Sequence, residues 1–194
     1  MKHLQRLLIL LGLILVLVGF SLTATRLQQS FPGFNPLPAV FFCVAACMGG
    51  RWLWLPTVAW LVSYALINTL FGYAWSWQIL IVVAGFGAAT GAGLLLRGRG
   101  GLALLGGSVG AAVLFYVVTN SGSWLLSPQY SKTWAGFLQA QTVGIPGPFP
   151  PAWAFLRGSV TAGLLFAGLF LLGQRQWSRH HSPAGELVPV RVRR

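Results

Sequence analysis

Long apolar runs, separated by short polar or glycine- and proline-rich connections, are the feature that most narrows what this chain can become. A backbone surrounded by hydrocarbon has no water to bond, so each run must satisfy its own N–H and C=O groups within an α-helix. With 56% hydrophobic and 7% charged residues, the chain belongs with integral membrane proteins and not with soluble domains. The runs predict an all-α, polytopic membrane protein of six transmembrane helices. Their expected positions are about 7–23, 39–50, 52–71, 78–96, 102–119 and 153–172, with a polar connection over 120–151 and a basic tail over 174–194. A hydrocarbon layer of about 30 Å takes about 20 helical residues, so the second run is short. Pro32, Pro36 and Pro38 forbid a continuous helix before it. It must borrow from that linker, stand nearly upright, or be shielded by its neighbours.

The charges set the expected orientation. One acid, Glu186, stands against 13 Lys and Arg. On one side of the six spans lie Lys2, Arg6, Arg51, Arg97, Arg99, Arg175, Arg179, Arg191, Arg193 and Arg194, against Arg26 and Lys132 on the other. This bias predicts a multi-pass membrane protein with both termini in the cytoplasm. Residues 7–23 after Lys2 and Arg6 outline a signal peptide, but their apolar core is long and Ala24-Thr25-Arg26 makes a poor cleavage site, so a retained first helix is expected. Trp75 and Trp77 are expected in an interfacial belt. The tail is expected to be disordered, with affinity for anionic lipid. No basic run interleaved with aromatics precedes it, which argues against nucleic acid as a partner.

The same composition excludes most chemistry. A single carboxylate, in the tail, leaves no pair for general acid and base catalysis and no buried acid for proton-coupled transport. No phosphate-binding glycine loop follows a strand, so any ATPase must come from a partner. Cys43 and Cys47 are spaced as neighbours on one helix face without nearby histidine, which is ordinary packing and not a metal site. The expectation is a non-enzyme without cofactor or metal.

Polarity is instead concentrated in one stretch, residues 116–132, where an apolar run passes into Thr119, Asn120, Ser121 and Ser123 and then into Trp124, Tyr130 and Lys132. With the expected orientation, Arg26, Asn35, Tyr64, Asn68, Asn120, Trp124, Tyr130, Lys132, Trp134 and Arg157 fall in the outer half or at the outer surface. Arg157 lies within the sixth span with no carboxylate to pair with. It either faces an anionic or carbonyl-bearing ligand or snorkels to the headgroups. Asn68 and Asn120 either bond each other across helices or contact a ligand, and Asn120 with Gly122 also suits a helix C-terminus. Trp124, Tyr130 and Trp134 serve either a ligand or the aromatic girdle. Residues 131–143 have the pattern of an amphipathic surface helix. Gly87-x-x-x-Gly91 and Gly106-x-x-x-Gly110 predict close helix packing.

Several motifs together carry a resemblance: Phe34-Asn35-Pro36-Leu37-Pro38-Ala39, Gly49-Gly50, Thr119-Asn120-Ser121-Gly122-Ser123-Trp124 and Tyr130-Ser131-Lys132-Thr133-Trp134-Ala135-Gly136. In that order they resemble the bacterial membrane domain-of-unknown-function family 6580, over about residues 26–172, a likeness that implies a multi-pass protein of the bacterial inner (cytoplasmic) membrane. Members of that family often carry an acid after the serine of the third span, where this chain has Tyr64 after Ser63. The layout is in turn similar to the substrate-binding S-components of energy-coupling factor vitamin transporters. That likeness implies an S-component-like bundle that binds a vitamin-like molecule from outside and hands it on with a coupling subunit and ATPases. The expected function is therefore a membrane-embedded substrate-binding subunit for uptake of a small organic molecule, using Asn35, Tyr64, Asn68, Asn120, Trp124, Tyr130, Lys132, Trp134 and Arg157. The alternative is a non-transporting structural or assembly subunit of a larger membrane complex, bound to other membrane subunits.

Overall fold

The computed structural model describes residues 2–27, 30–72, 76, 78–147 and 150–181, with side chains described over 11–26, 30–72, 76, 78–147 and 150–176. Trp75, Trp77, Pro148, Phe149, the tail beyond residue 181 and the side chains of Lys2 and Arg6 lie outside them, and with them the expectations placed on those residues. The described residues form helices and no strands: α1 (Lys2–Leu27), α2 (Leu37–Cys43), α3 (Trp54–Phe71), α4 (Gln78–Leu95), α5 (Gly101–Leu126), α6 (Trp134–Gln141) and α7 (Ala152–His181). Helix α2 continues as a π-helical stretch, Val44–Met48, and a 3₁₀ turn, Gly50–Trp52, leads into α3. Four helical segments are long and apolar enough to cross a membrane: Gly50–Phe71, Gln78–Leu95, Gly101–Leu126 and Ala152–Gln176. Shorter apolar stretches are Leu11–Arg26 and Leu37–Met48. This is a helical membrane protein.

Helix α2 is the centre of the bundle. Phe42 and Ala45 are wholly buried, and Phe42, Cys43 and Ala46 pack with Ala89 of α4, Leu104 and Ala111 of α5 and Ala167 of α7. The short second run is thus shielded by its neighbours. Two glycines make that possible: a Cβ on Gly93 would overlap the Phe42 carbonyl, and one on Gly107 would overlap the Phe42 ring.

The glycines that bring helices together differ from those the sequence singled out. Gly87, Gly91, Gly106 and Gly110 meet nothing within 4 Å, so the expected role of those two motifs in close packing is corrected. Contact falls instead on Gly85, against Phe115 and Thr119, on Gly122, against Ile81, and on Gly93 and Gly107. Adjacent helical positions differ by about 100° around the axis, so Gly106 and Gly107 face different surroundings.

Helix α2 spans only part of the bundle's height. Leu37, at its start, packs with Trp60 and Phe86, which lie midway along α3 and α4. Its other end reaches Gly49, beside the Arg97 guanidinium. At about 1.5 Å per residue, Leu37–Met48 covers roughly 18 Å, little more than half of a hydrocarbon layer of about 30 Å.

The remaining height is filled by irregular chain over 30–36, with Gly33 at φ 75° and with Pro32 and Pro36 buried. Its backbone lies against α7, where a Cβ on Gly158 would overlap the Pro32 carbonyl, and Ser159 Oγ donates to the Gly33 carbonyl at 3.1 Å. Non-helical backbone at such depth is tolerated where protein covers it.

Helix α5 also departs from expectation. It runs to Leu126, past the predicted end at 119, and Gly122 has no positive φ. Asn120 therefore does not end the helix. Its Nδ2 donates to the Tyr116 carbonyl one turn back, at 2.9 Å.

Candidate functional site

Where α2 stops short, a cavity of about 360 Å³ opens between α5, the start of α7, the chain over 30–36 and the connection that follows α5. Its α5 wall is made of Phe115, Tyr116, Thr119, Asn120 and Ser123. These positions recur at helical three- and four-residue spacing and so share one face. Gly33 and Asn35 come from the linker, Phe155 and Ser159 from α7, and Tyr130, Gly144, Ile145 and Pro150 from the connection.

Most of the wall is fixed by its own hydrogen bonds. Asn35 Oδ1 accepts from the Leu37 amide at 2.9 Å, closing a turn at the start of α2. Thr119 Oγ1 donates to the Phe115 carbonyl at 2.8 Å and Ser123 Oγ to the Thr119 carbonyl at 3.0 Å. Tyr116 Oη donates to the Gln141 carbonyl at 2.6 Å, and Gln141 Nε2 donates to Ser121 Oγ at 3.1 Å, which holds α6 against α5. Beneath the cavity the Phe115 ring packs on Phe86 at 5.2 Å, and Phe86 stacks on Phe41 at 4.5 Å. Among the described residues, no Lys, Arg, Asp or Glu lines it. Tyr130 is 7% exposed, and burial pushes its phenol above the ordinary range, so it stays neutral and able to donate.

Of the residues expected to bind a ligand, Asn35, Asn120 and Tyr130 meet in this cavity. Lys132 does not line it. Its Nζ donates to the carbonyls of Trp124 and of Ser127, the latter at 2.7 Å, so the ammonium caps the C-terminus of α5. Trp124 Nε1 donates to the Ser131 carbonyl at 2.9 Å, and its ring meets Phe137 edge-on at 5.5 Å. Trp134 is 71% exposed and stacks on Phe137 at 5.2 Å.

The expected surface helix is present as α6, shorter than the pattern over 131–143, with Thr133 Oγ1 accepting from the Gly136 amide as its N-cap. Arg157 is exposed, its guanidinium carbon 5.4 Å from the Phe31 ring centre and 5.8 Å from that of Trp153. Its side chain lies against these aromatic faces on the outside of the bundle, which is where the snorkelling alternative needs it. Tyr64 leans on Trp60 at 6.0 Å, and Asn68 is buried on α3 facing a different hollow beside α4. Asn68 and Asn120 do not bond each other: Asn120 Nδ2 donates to the Tyr116 carbonyl, and Asn68 Nδ2 has no partner among the described residues.

Sequence reasoning missed Gly33, Tyr116, Phe155 and Ser159. Tyr116, Thr119, Asn120 and Ser123 could have been found together from their helical spacing. Nothing local marks Phe155 or Ser159, which reach the site because Gly33 and Gly158 let the linker touch α7.

The sequence profile of the Family of unknown function (DUF6580) matches residues 1–184, and the chain belongs to that family. No curated protein and no solved structure matches the chain.

Proposed function

We propose that this member of a family of unknown function is a multi-pass subunit of the bacterial cytoplasmic membrane that captures a small, uncharged organic molecule for uptake. The observation that carries the reading is the cavity above α2, whose wall offers amide, hydroxyl and aromatic groups and, among the described residues, no charged side chain. Ligand sites are typically about 300–1,000 Å³, concave, and mostly apolar with a few placed polar groups, and this cavity falls at the lower end of that range. A ligand that size would be a single ring system or a compact vitamin-like molecule. Orientation is supported by the arginines. Arg97 lies beside Gly49 and Arg175 beside Gly101, at the end of the bundle away from the cavity, and the positive-inside rule puts that end in the cytoplasm. On this reading all six segments cross, α2 with the linker over 30–36 completing one passage, and the cavity opens from the outer half. Energy would come from partner subunits carrying an ATPase, as the S-component likeness implies.

The test is the small-molecule content of the protein purified in mild detergent. The proposal expects a neutral compound released on denaturation at near one per chain, and its absence from protein that rebinds no neutral candidate removes the capture role.

A further inference from the structure

The hydroxyls in the wall of the cavity above α2 are not equivalent. Those of Tyr116, Thr119, Ser123 and Ser159 each donate their hydrogen to a backbone carbonyl, at 2.6, 2.8, 3.0 and 3.1 Å. Tyr130 Oη lines the same cavity and meets no hydrogen-bond partner among the described residues. The residue is 7% exposed, yet this atom is not sealed from solvent as Asn68 Nδ2 and Gln141 Oε1 are. Gly144, which also lines the cavity, stands beside it: a Cβ there would lie 3.9 Å from the Tyr130 oxygen.

The amides are equally one-sided. Asn120 Nδ2 donates to the Tyr116 carbonyl and Asn35 Oδ1 accepts from the Leu37 amide, and these backbone partners fix which way each amide is turned. Asn120 Oδ1 thereby remains as an acceptor at the cavity wall, with no partner among the described residues. Asn35 keeps its N–H donors.

Buried polar groups are seldom left unpaired, so Tyr130 calls for an acceptor and Asn120 for a donor. A hydrocarbon would orphan both, and a ketone or ether would answer Tyr130 alone. A carboxylate would find no cation among the described lining residues. An alcohol or a water could answer both only through a single oxygen. An amide edge answers them through two neighbouring groups, its carbonyl and its N–H.

We propose that the captured molecule is a compact ring bearing a cyclic amide edge, as in a lactam, an imide or a ring urea. Tyr130 Oη donates to its carbonyl, and its N–H donates to Asn120 Oδ1. Phe115, Ile145, Pro150 and Phe155 supply the apolar lining for the rest of the ring. Asn35 is a further donor for the second carbonyl that an imide carries. The inference rests on the capture reading and names the substrate class for it.

The experiment is titration calorimetry with δ-valerolactam, in mild detergent, on protein washed free of any co-purified compound. The comparison probes are N-methyl-δ-valerolactam, which lacks the N–H, and cyclohexanol, which offers one oxygen. Ser123→Phe, which puts a ring into the cavity, gives the background from detergent. The lactam is expected to bind at least about ten-fold more tightly than either comparison probe, because a site built to bond an N–H rejects the analogue without it. Tyr130→Phe is expected to weaken both lactams about ten-fold, since both carry the carbonyl, whereas Asn120→Leu is expected to weaken only the one with the N–H. A site that had merely loosened would lose all probes alike. Equal affinity for δ-valerolactam and either comparison probe, or no lactam binding above background, overturns the inference. If the protein still releases a neutral compound, one without an amide edge, the capture reading stands; if it releases none and binds no probe, both fall.

Discussion

Gly158 of α7 rests directly on the carbonyl of Pro32, in a contact that leaves no room for a β-carbon on the helix. Both partners are backbone, so neither can yield as a flexible side chain would. Gly158→Ala is therefore expected to push the linker off α7 and cost about 1–3 kcal/mol, lowering the unfolding midpoint in detergent by several degrees. Gly168→Ala, on the same helix with nothing within 4 Å, is expected to leave it unchanged.

The Tyr116 hydroxyl holds α6 through the Gln141 carbonyl. Tyr116→Phe removes the donor and keeps the ring, at a cost of about 1 kcal/mol. The expected outcome is faster amide hydrogen exchange in α6, with protection of α4 and the middle of α5 retained.

Asn120 and Arg157 should separate cleanly in binding. Asn120 lines the cavity while Arg157 lies outside it between Phe31 and Trp153. Asn120→Leu is expected to weaken binding of the co-purifying molecule about ten-fold, the equivalent of about 1.4 kcal/mol. Arg157→Ala is expected to leave affinity within about two-fold, since exposed cations contribute little. Titration calorimetry on the two variants checks both.

Tyr130 gives the site its pH dependence. Its folded-state phenol titrates above the ordinary value because burial disfavours the phenolate. A raised acid pKa means the folded protein holds the proton more tightly than the unfolded chain. The stability this contributes is complete below the ordinary tyrosine pKa of about 10 and declines as pH rises through the folded value. Binding should be flat from neutral pH to about pH 9 and fall above about pH 10, while Tyr130→Phe, weaker throughout, should lose that alkaline fall.

Much of this was legible in the chain. The apolar runs announced helices, and the polar stretch ending α5 pointed to Asn120 and Tyr130. The prolines at 32, 36 and 38 and the brevity of the run after them pointed to a second helix that needs cover. What was not legible came from rotation and distance. Whether Arg157 faces in or out depends on where Phe31 and Trp153 stand, and Phe31 belongs to a loop far away in sequence. Lys132 looked like a charge for a ligand, but the helix of Trp124 continues far enough to bring its last carbonyls within reach. Gly106 and Gly110 matched a packing motif, and the neighbouring Gly107 makes the contact.

The most direct measurement is quantitative mass spectrometry of small molecules released from purified wild-type protein and from Ser123→Phe, which puts a ring into the cavity from the α5 wall. The account predicts one neutral compound near stoichiometric with the wild-type chain and lost from the variant, with both proteins equally folded. Equal recovery from the two, or none from either, would contradict it.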